Sequence, residues 1–307
     1  MVDFPKQSPH SLASQTDTLH RSLEHRLAVL LPPVYRESYQ TIAPVSMGSA
    51  ALRFDAEGRV LWDQMWGSFC ALAMAGGPPH KGRLLQPASR EQVEAEPVRY
   101  VEVTAEIVRG VGLATGIVAV PSTFGWVRLQ CANDTMAEWM LRAIVMENVS
   151  ARGMGSQLEL PAGPGYRLEK EIKNVITVVA KTAHYWQDHM LRAEQFAVAR
   201  VLDEMDAEQR LVTPSDSAFA EDDPLRGRIA DEVFRAVGLR AGGVRYGGWI
   251  GFECGSVDEA IATMRLVVVS NVLARREETV LYVPLNPTLD PNGACVVEAI
   301  RRARLFL

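Results

Sequence analysis

Two stretches of the chain, residues 125–161 (GWVRLQCANDTMAEWMLRAIVMENVSARGMGSQLELP) and residues 248–284 (GWIGFECGSVDEAIATMRLVVVSNVLARREETVLYVP), align without a gap. Both begin with Gly-Trp, share a cysteine and an Asn-Val-x-Ala-Arg group, and close on Leu-x-x-Pro. Upstream, residues 106–116 (EIVRGVGLATG) resemble residues 232–242 (EVFRAVGLRAG). The matches predict a duplicated unit made of helix, strand, helix and strand.

The second copy shows how one unit is expected to fold. Residues 249–254 and 279–283 have strand composition, and residues 256–274 place apolar side chains at helical spacing. A strand, helix, strand unit this short normally forms a parallel pair with a right-handed crossover. The predicted fold class is therefore α/β (or α+β), with βαβ-type repeats and flanking helices.

A third and more diverged copy is predicted in residues 52–87 (LRFDAEGRVLWDQMWGSFCALAMAGGPPHKGRLLQP). It shows the same order of short strand, turn, apolar helix and short strand ending in proline. The match is one of pattern, since few residues are identical. Two clear copies and one diverged copy allow a pseudo-threefold arrangement.

The repeats divide the chain into six segments. In chain order these are an N-terminal arm and helix (1–48), the diverged unit (49–94), the second unit (95–165), a long inserted helix (166–206), an acidic linker (207–223), and the third unit with a C-terminal helix (224–307).

Composition excludes several classes of protein. The chain has 307 residues, 48% hydrophobic and 22% charged, which suits a globular protein that buries a large core. A net charge of −5 argues against a nucleic-acid partner. No long apolar run and no secretory leader are visible, so we expect no membrane partner and a cytoplasmic location. The oligomeric state is open, with a homo-oligomer among the alternatives.

Four cysteines stand far apart, and none forms a Cys-x-x-Cys pair. They are Cys70, Cys131, Cys254 and Cys295. The spacing argues against a zinc knuckle, a redox motif or a disulfide scaffold. We interpret all four as buried thiols.

The joint after each predicted repeat helix carries cations and amides. In the first unit a Gly-Gly-Pro-Pro segment presents His80 and Lys81. The later joints contribute Asn148, Arg152, Asn271 and Arg275. If the three joints meet, these groups would form a substrate-binding site for a carboxylate or phosphate. The alternative is that the cations only offset the partial negative charge at helix C-termini.

A polar stripe along residues 166–190 suggests a second group of site residues. At helical spacing one side carries Lys170, Lys173, Asn174, Lys181 and His184. We assign candidate catalytic roles in proton transfer to Lys181, His184, Lys81 and His80, and substrate-binding roles to the other three residues. The alternative is an ordinary solvated helix face with ion pairs between neighbouring turns.

Familiar cofactor motifs are missing from the sequence. The glycines of residues 110–116 close a helix instead of joining a strand to one, and the chain has no phosphate-binding loop and no nucleophile elbow. His184 and His189 would point about 140° apart on an α-helix, a poor geometry for a metal pair. The cofactor is unknown, and no metal site is predicted.

Two functions fit these observations. The first is a small-molecule metabolic enzyme, a hydrolase or lyase, that binds an anionic or carbonyl-bearing substrate in a site lined by Lys, Arg and His. The second is a non-catalytic ligand-binding or assembly scaffold built from duplicated units. The enzyme is favoured because the Gly-Gly-Pro-Pro-His-Lys segment and the lysine-bearing helix each occur once, which breaks the repeat.

Overall fold

A computed structural model describes residues 9–31, 51–64, 82–215 and 223–307 of the chain. Side chains are described from residue 17 onward in the first helix, α1 (Pro9–Leu30), and from residue 224 onward in the last segment. The fold mixes helices with two small antiparallel sheets. Its buried apolar side chains form one continuous cluster that reaches from Leu23 of α1 to Ala303 near the C-terminus.

The first module, residues 90–161, contains three helices and a four-stranded sheet. Its elements are α2 (Arg90–Ala95), α3 (Pro97–Thr115), β1 (Ala119–Pro121), β2 (Trp126–Gln130), α4 (Asp134–Met146), β3 (Arg152–Met154) and β4 (Gln157–Pro161). The strand order is β1-β2-β4-β3, and every neighbouring pair is antiparallel.

Four segments of regular structure lie between the two modules, in the region predicted as one inserted helix. They are α5 (Lys173–His184), flanked by π-helical turns at Leu168–Ile172 and Tyr185–His189, and α6 (Arg192–Glu208). Met190 interrupts the helix with extended backbone angles (φ −90°, ψ 116°). Two helices therefore replace the single one that was predicted.

The second module, residues 223–306, has a sheet of the same strand order. Its elements are α7 (Asp223–Val237), β5 (Arg240–Ala241), β6 (Trp249–Glu253), α8 (Val257–Val268), β7 (Arg275–Glu277), β8 (Val280–Pro284) and α9 (Ala294–Phe306). The order is β5-β6-β8-β7. Trp249 faces Pro284 across β6 and β8, as Trp126 faces Pro161 across β2 and β4.

The prediction of parallel strand pairs was wrong. The chain reverses direction once more after each central helix, through a tight hairpin between β3 and β4 in the first module and between β7 and β8 in the second. The first hairpin turns at Gly155 and Ser156. Gly155 has a positive φ of 57°, which suits the first position of a two-residue turn. The last strand of the unit consequently returns antiparallel to the first. The Gly-Ser pair is a hairpin signal that the prediction of a simple strand, helix, strand unit did not use.

The central helices α4 and α8 begin and end in corresponding ways. The side chain of Asn133 accepts a hydrogen bond from Met136 N (2.8 Å), and Ser256 accepts one from Glu259 N (3.1 Å). Just beyond the helices, Asn148 and Asn271 adopt left-handed backbone angles, with φ of 61° and 60°. Asparagine tolerates this conformation better than most residues, which explains how both helices stop at these joints.

The helix α5 runs through the middle of the fold. Its apolar side is buried, and so are Lys173, Thr177 and Lys181 on the polar stripe. It packs against both α3 and α4. The middle of the polar stripe is therefore buried against neighbouring helices and is not the solvated face that the alternative interpretation required, although Asn174 and His184 are only half-buried.

Candidate functional site

A cleft of about 1020 Å³ lies between the two modules. One wall is the outer face of the first sheet, and another is the strap of residues 84–90 that precedes α2. The opposite side comes from the second module and the segment before it, through residues 213–215, 247, 249 and 286–289. The described parts of both modules therefore contribute to one concave surface.

Strand alternation decides which side chains reach the cleft. Val127 and Leu129 of β2, with Leu158 and Leu160 of β4, point to the helices and are fully buried. The residues between them face the other way. The cleft is lined from this face by Trp126, Arg128, Arg152, Met154, Gln157 and Glu159.

Arg152 is fixed against the sheet by three groups. Its guanidinium lies 4.3 Å from the ring centroid of Trp126. Its Nε donates to Glu159 Oε2 at 2.6 Å, and its Nη2 donates to Thr123 Oγ1 at 2.9 Å. The side chain stays 32% exposed, so it belongs to the wall of the cleft and not to the core.

Arg128 is the cation of this wall that makes no hydrogen bond or ion pair with another described residue. It faces Glu159 across β2 and β4. Both carboxylate oxygens of Glu159 are already used, Oε2 by Arg152 and Oε1 by the hydroxyl of Ser122. With two arginines beside one carboxylate, this part of the cleft carries net positive charge. Such a surface favours an anion.

Arg275 occupies the corresponding position in the second sheet but is completely buried. Its guanidinium lies 4.0 to 5.0 Å from the ring centroids of Tyr246, Trp249 and Tyr282. Nη1 donates to Glu277 Oε1 at 2.8 Å. Burial lowers the pKa of Arg275, and the charge and hydrogen bond of Glu277 oppose that shift. In the second sheet, Arg275 and the rings around it therefore cover the face whose counterpart in the first sheet lines the cleft.

The two joint asparagines tie the modules together. Asn148 accepts from Arg275 Nη1 at 3.1 Å and donates to the carbonyl oxygens of Gly82 and Arg276. Asn271 accepts from Nη2 of Arg142 and donates to Asp206 Oδ1 at 2.7 Å. In each case the amide receives an arginine from the other module. These contacts give the oxygen and the nitrogen of both buried amide groups a hydrogen-bond partner, as is usual for buried polar groups.

Lys181 forms a buried ion pair. Its Nζ lies 2.5 Å from Glu147 Oε1, and the two side chains are 6% and 1% exposed. Glu147 immediately precedes Asn148, so the pair joins α5 to the same joint that receives Arg275. Lys181 therefore contacts the joint through Glu147, and it does not line the cleft.

The other predicted residues of the stripe lie in different surroundings. Lys173 is buried, and this burial lowers its pKa, with Glu169 acting in the opposite direction. Lys170 is exposed beside Glu171, and Asn174 is half-buried. His184 contacts Asp188 and His189 at the far end of α5. The stripe therefore does not form a single wall of the cleft.

Two of the predicted catalytic residues, His80 and Lys81, lie outside the described residues. Among the described site residues, the structure brings Asn148 to Arg275 and places Lys181 beside Glu147. Arg152 is the predicted residue that lines the cleft.

Trp126 and Arg128 line the cleft but were not predicted as site residues. Trp126 aligns with Trp249 in the Gly-Trp that opens both stretches, and such a match suits packing better than contact with a ligand. The alternation in Trp126-Val-Arg-Leu-Gln130 was the available signal, because it places Trp126, Arg128 and Gln130 on one face of a strand.

Two further observations bear on the class of the protein. Across the ranges that the structure describes, no cluster of three or more His, Cys, Asp or Glu side chains is arranged to hold a metal ion. Within the same ranges, none of the helices combines the length and apolar character needed to cross a bilayer. The fold and the cleft together define a mixed α and β chain with a cationic pocket between two modules.

Comparison with protein-family models, with curated proteins and with solved structures gives no match for this chain.

Proposed function

We propose that this chain binds a small organic anion in the cleft between its modules. The observation that carries the proposal is the position of Arg128, which lines the cleft without a counter-ion among the described residues while its neighbour Glu159 is engaged by Arg152 and Ser122. A carboxylate accepts two parallel hydrogen bonds from a guanidinium, which makes arginine a suitable partner.

The ligand is proposed to have an apolar body next to its anionic group. Phe124, Trp126 and Met154 line the same cleft as the two arginines. Pockets for organic ligands combine a mostly apolar lining with a few polar groups that fix orientation. An aromatic or branched aliphatic carboxylate has both parts, whereas inorganic phosphate offers the charge alone.

The hydrolase or lyase hypothesis remains as a second candidate, with Lys181, His184, His80 and Lys81 as its acid-base residues. The observations that favour binding over catalysis are the ion pair of Lys181 with Glu147 and the distribution of the stripe over separate environments. A catalytic lysine must reach the substrate. The proposed binding role requires no such group.

The proposal includes an origin for the cleft by duplication. The two modules share strand order and the positions of their capping residues, and we propose that they are copies of one unit whose outer sheet face diverged. The sheet face around Arg152 would then have stayed open to the cleft, whereas the face around Arg275 became covered by aromatic rings. The diverged third copy and the pseudo-threefold arrangement stay predictions, because residues 65–81 lie outside the described ranges.

Isothermal titration calorimetry with benzoate, indole-3-acetate, isovalerate and inorganic phosphate tests the binding proposal. We expect at least one organic carboxylate to bind more tightly than phosphate. The affinity should fall as salt is raised. The substitution Arg128→Gln should weaken binding about tenfold to a hundredfold, the range for a lost hydrogen bond to a charged group.

The matched control is Arg200→Gln, since Arg200 is an exposed arginine on α6 that does not line the cleft. It should leave the affinity unchanged. Equal affinities for the wild-type protein and the Arg128→Gln variant would contradict the proposal. Turnover of an ester or amide of the bound acid, lost in Lys181→Ala, would instead favour the enzyme.

A further inference from the structure

The π-helical turn at Tyr185–His189 brings two imidazole rings together. Nε2 of His184 and Nε2 of His189 form a hydrogen bond of 2.9 Å, and the ring centroids are 4.6 Å apart. This juxtaposition differs from the expectation for an α-helix, where residues five apart point in different directions. The structure gives the pair a geometry that the sequence spacing did not predict.

The wider turn explains the contact. Met190 N donates to Tyr185 O at 2.9 Å, which is the hydrogen bond of a π-helix between residues five apart. In a π-helix the two side chains are separated by only about 50° around the axis, against about 140° in an α-helix. The rings therefore lie side by side on one surface of the turn.

The separation of the two nitrogens matches the ligand spacing of a metal ion. Metal–imidazole bonds are about 2.0–2.1 Å long, so two nitrogens at right angles around the ion lie about 2.9 Å apart. A tetrahedral angle would separate the same two nitrogens by about 3.3 Å. The observed distance fits adjacent positions of a square-planar or octahedral ion, the geometries of Cu²⁺ and Ni²⁺.

Asp188 supplies the outer contact that metal-binding histidines usually have. Its Oδ2 lies 2.7 Å from Nδ1 of His184. A carboxylate at Nδ1 holds the proton on that nitrogen and keeps the Nε2 lone pair directed at the ion. The orientation of the second ring is supported by Tyr185, whose ring stacks on His189 at 6.2 Å between centroids.

We propose that a divalent transition-metal ion with right-angled coordination, Cu²⁺ or Ni²⁺, replaces the hydrogen bond between His184 and His189 and binds both Nε2 atoms, while the displaced proton moves to Nδ1 of His189. Water fills the remaining positions, because His189 and Asp188 are exposed at the surface. Asp188 acts as a positioning residue and not as a ligand. The site is separate from the cleft and does not depend on the proposed binding function, since none of the three residues lines the cleft.

Titration of the full chain with Ni²⁺, followed by calorimetry, tests the site. We expect one ion per chain and tighter binding of Ni²⁺ than of Zn²⁺. His184→Gln and His189→Gln should each weaken binding by about tenfold or more, and Asp188→Asn by about tenfold, as expected for loss of an outer contact. The control variant is His25→Gln, because His25 is an exposed histidine on α1. This variant should bind Ni²⁺ with the affinity of the wild-type protein.

A second measurement needs no substitution. With water in its remaining positions, octahedral Ni²⁺ is paramagnetic, so a stoichiometric amount should broaden the ring resonances of His184 and His189 in NMR spectra before those of the other histidines. The proposal is wrong if the double variant His184→Gln/His189→Gln keeps wild-type affinity, or if the two ring resonances are not the first to broaden. Tighter binding of Zn²⁺ than of Ni²⁺ would overturn the right-angled geometry.

Discussion

Arg275, a buried guanidinium of the second sheet, donates a hydrogen bond to the side-chain oxygen of Asn148 at the end of the first module's central helix. Arg142 makes the reverse contact, from the first module to Asn271. Each arginine is also paired with a carboxylate on its own side, Glu277 and Glu138 respectively. The two modules are therefore joined by two reciprocal contacts, in which a buried arginine of each module donates to a joint asparagine of the other. The carboxylate beside each arginine holds its guanidinium in place.

Replacing Arg275 should destabilise the fold far more than replacing its counterpart Arg152. Arg275→Met leaves Glu277 without its buried cation, and removal of one partner of a buried pair costs about 3–5 kcal/mol. Arg152→Met removes a partly exposed pair worth about 1 kcal/mol, and Glu159 keeps its bond from Ser122. Urea denaturation of both variants measures the difference. Equal losses of unfolding free energy would contradict the assignment of a structural role to Arg275.

Lys181 and Glu147 should show strong energetic coupling. Either Lys181→Met or Glu147→Leu removes one partner of the buried ion pair. Each substitution is therefore expected to lower the free energy of unfolding by about 3–5 kcal/mol. The double variant should lose less free energy of unfolding than the two single variants added together, because both charges of the pair are removed. A double-mutant cycle measured by urea unfolding gives the coupling energy, expected to be about 2 kcal/mol or more. Simple additivity would show that the pair does not act as a unit.

The backbone conformation of Asn148 predicts a difference between two substitutions that remove the same side-chain bonds. Its φ of 61° is left-handed, a region that costs an alanine roughly 1–2 kcal/mol but costs glycine little. Asn148→Ala should therefore be less stable than Asn148→Gly by about 1 kcal/mol. Thermal and urea unfolding of the two variants provide the comparison. A more stable alanine variant would be inconsistent with the left-handed joint.

The buried cysteines should resist alkylation in the folded protein. Burial raises the pKa of Cys131 and that of Cys254 to about 11. At about pH 8 only about one thiol in a thousand is then ionised, against a much larger fraction in the unfolded chain, whose thiol pKa is about 8.5. Iodoacetamide labelling followed by mass spectrometry should therefore be slow at both positions and become fast in urea. The rate should rise with pH up to about 11.

The same shift has a consequence for stability. A thiol whose pKa is raised in the folded state keeps its proton there, so its contribution is fully present below about pH 8.5. The contribution is lost as the pH rises towards about 11. A free energy of unfolding that does not fall over this interval would contradict burial of the two thiols, as would equal labelling rates in folded and unfolded protein.

Local sequence signals located most of the regular structure. The apolar periodicity marked the central helices, and the alternation in residues 126–130 marked a strand with one buried face. Direction of pairing was not predictable in the same way, because a short hairpin through Gly155 reverses the chain before β4 pairs with β2. For the candidate site, the aligned stretches drew attention to Arg152 but not to Arg128.

The sequence by itself indicated most of the helices and strands and the alignment of residues 125–161 with residues 248–284, because these properties are read from the order of residues along the chain. Only the tertiary structure decided that Arg275 is enclosed by three rings while Arg152 remains open to the cleft, and that His184 meets His189. Burial and contact depend on what distant segments place around a side chain, and on whether one helical turn widens. Identical residues at matching positions can therefore acquire different environments, and residues with unfavourable spacing can still touch.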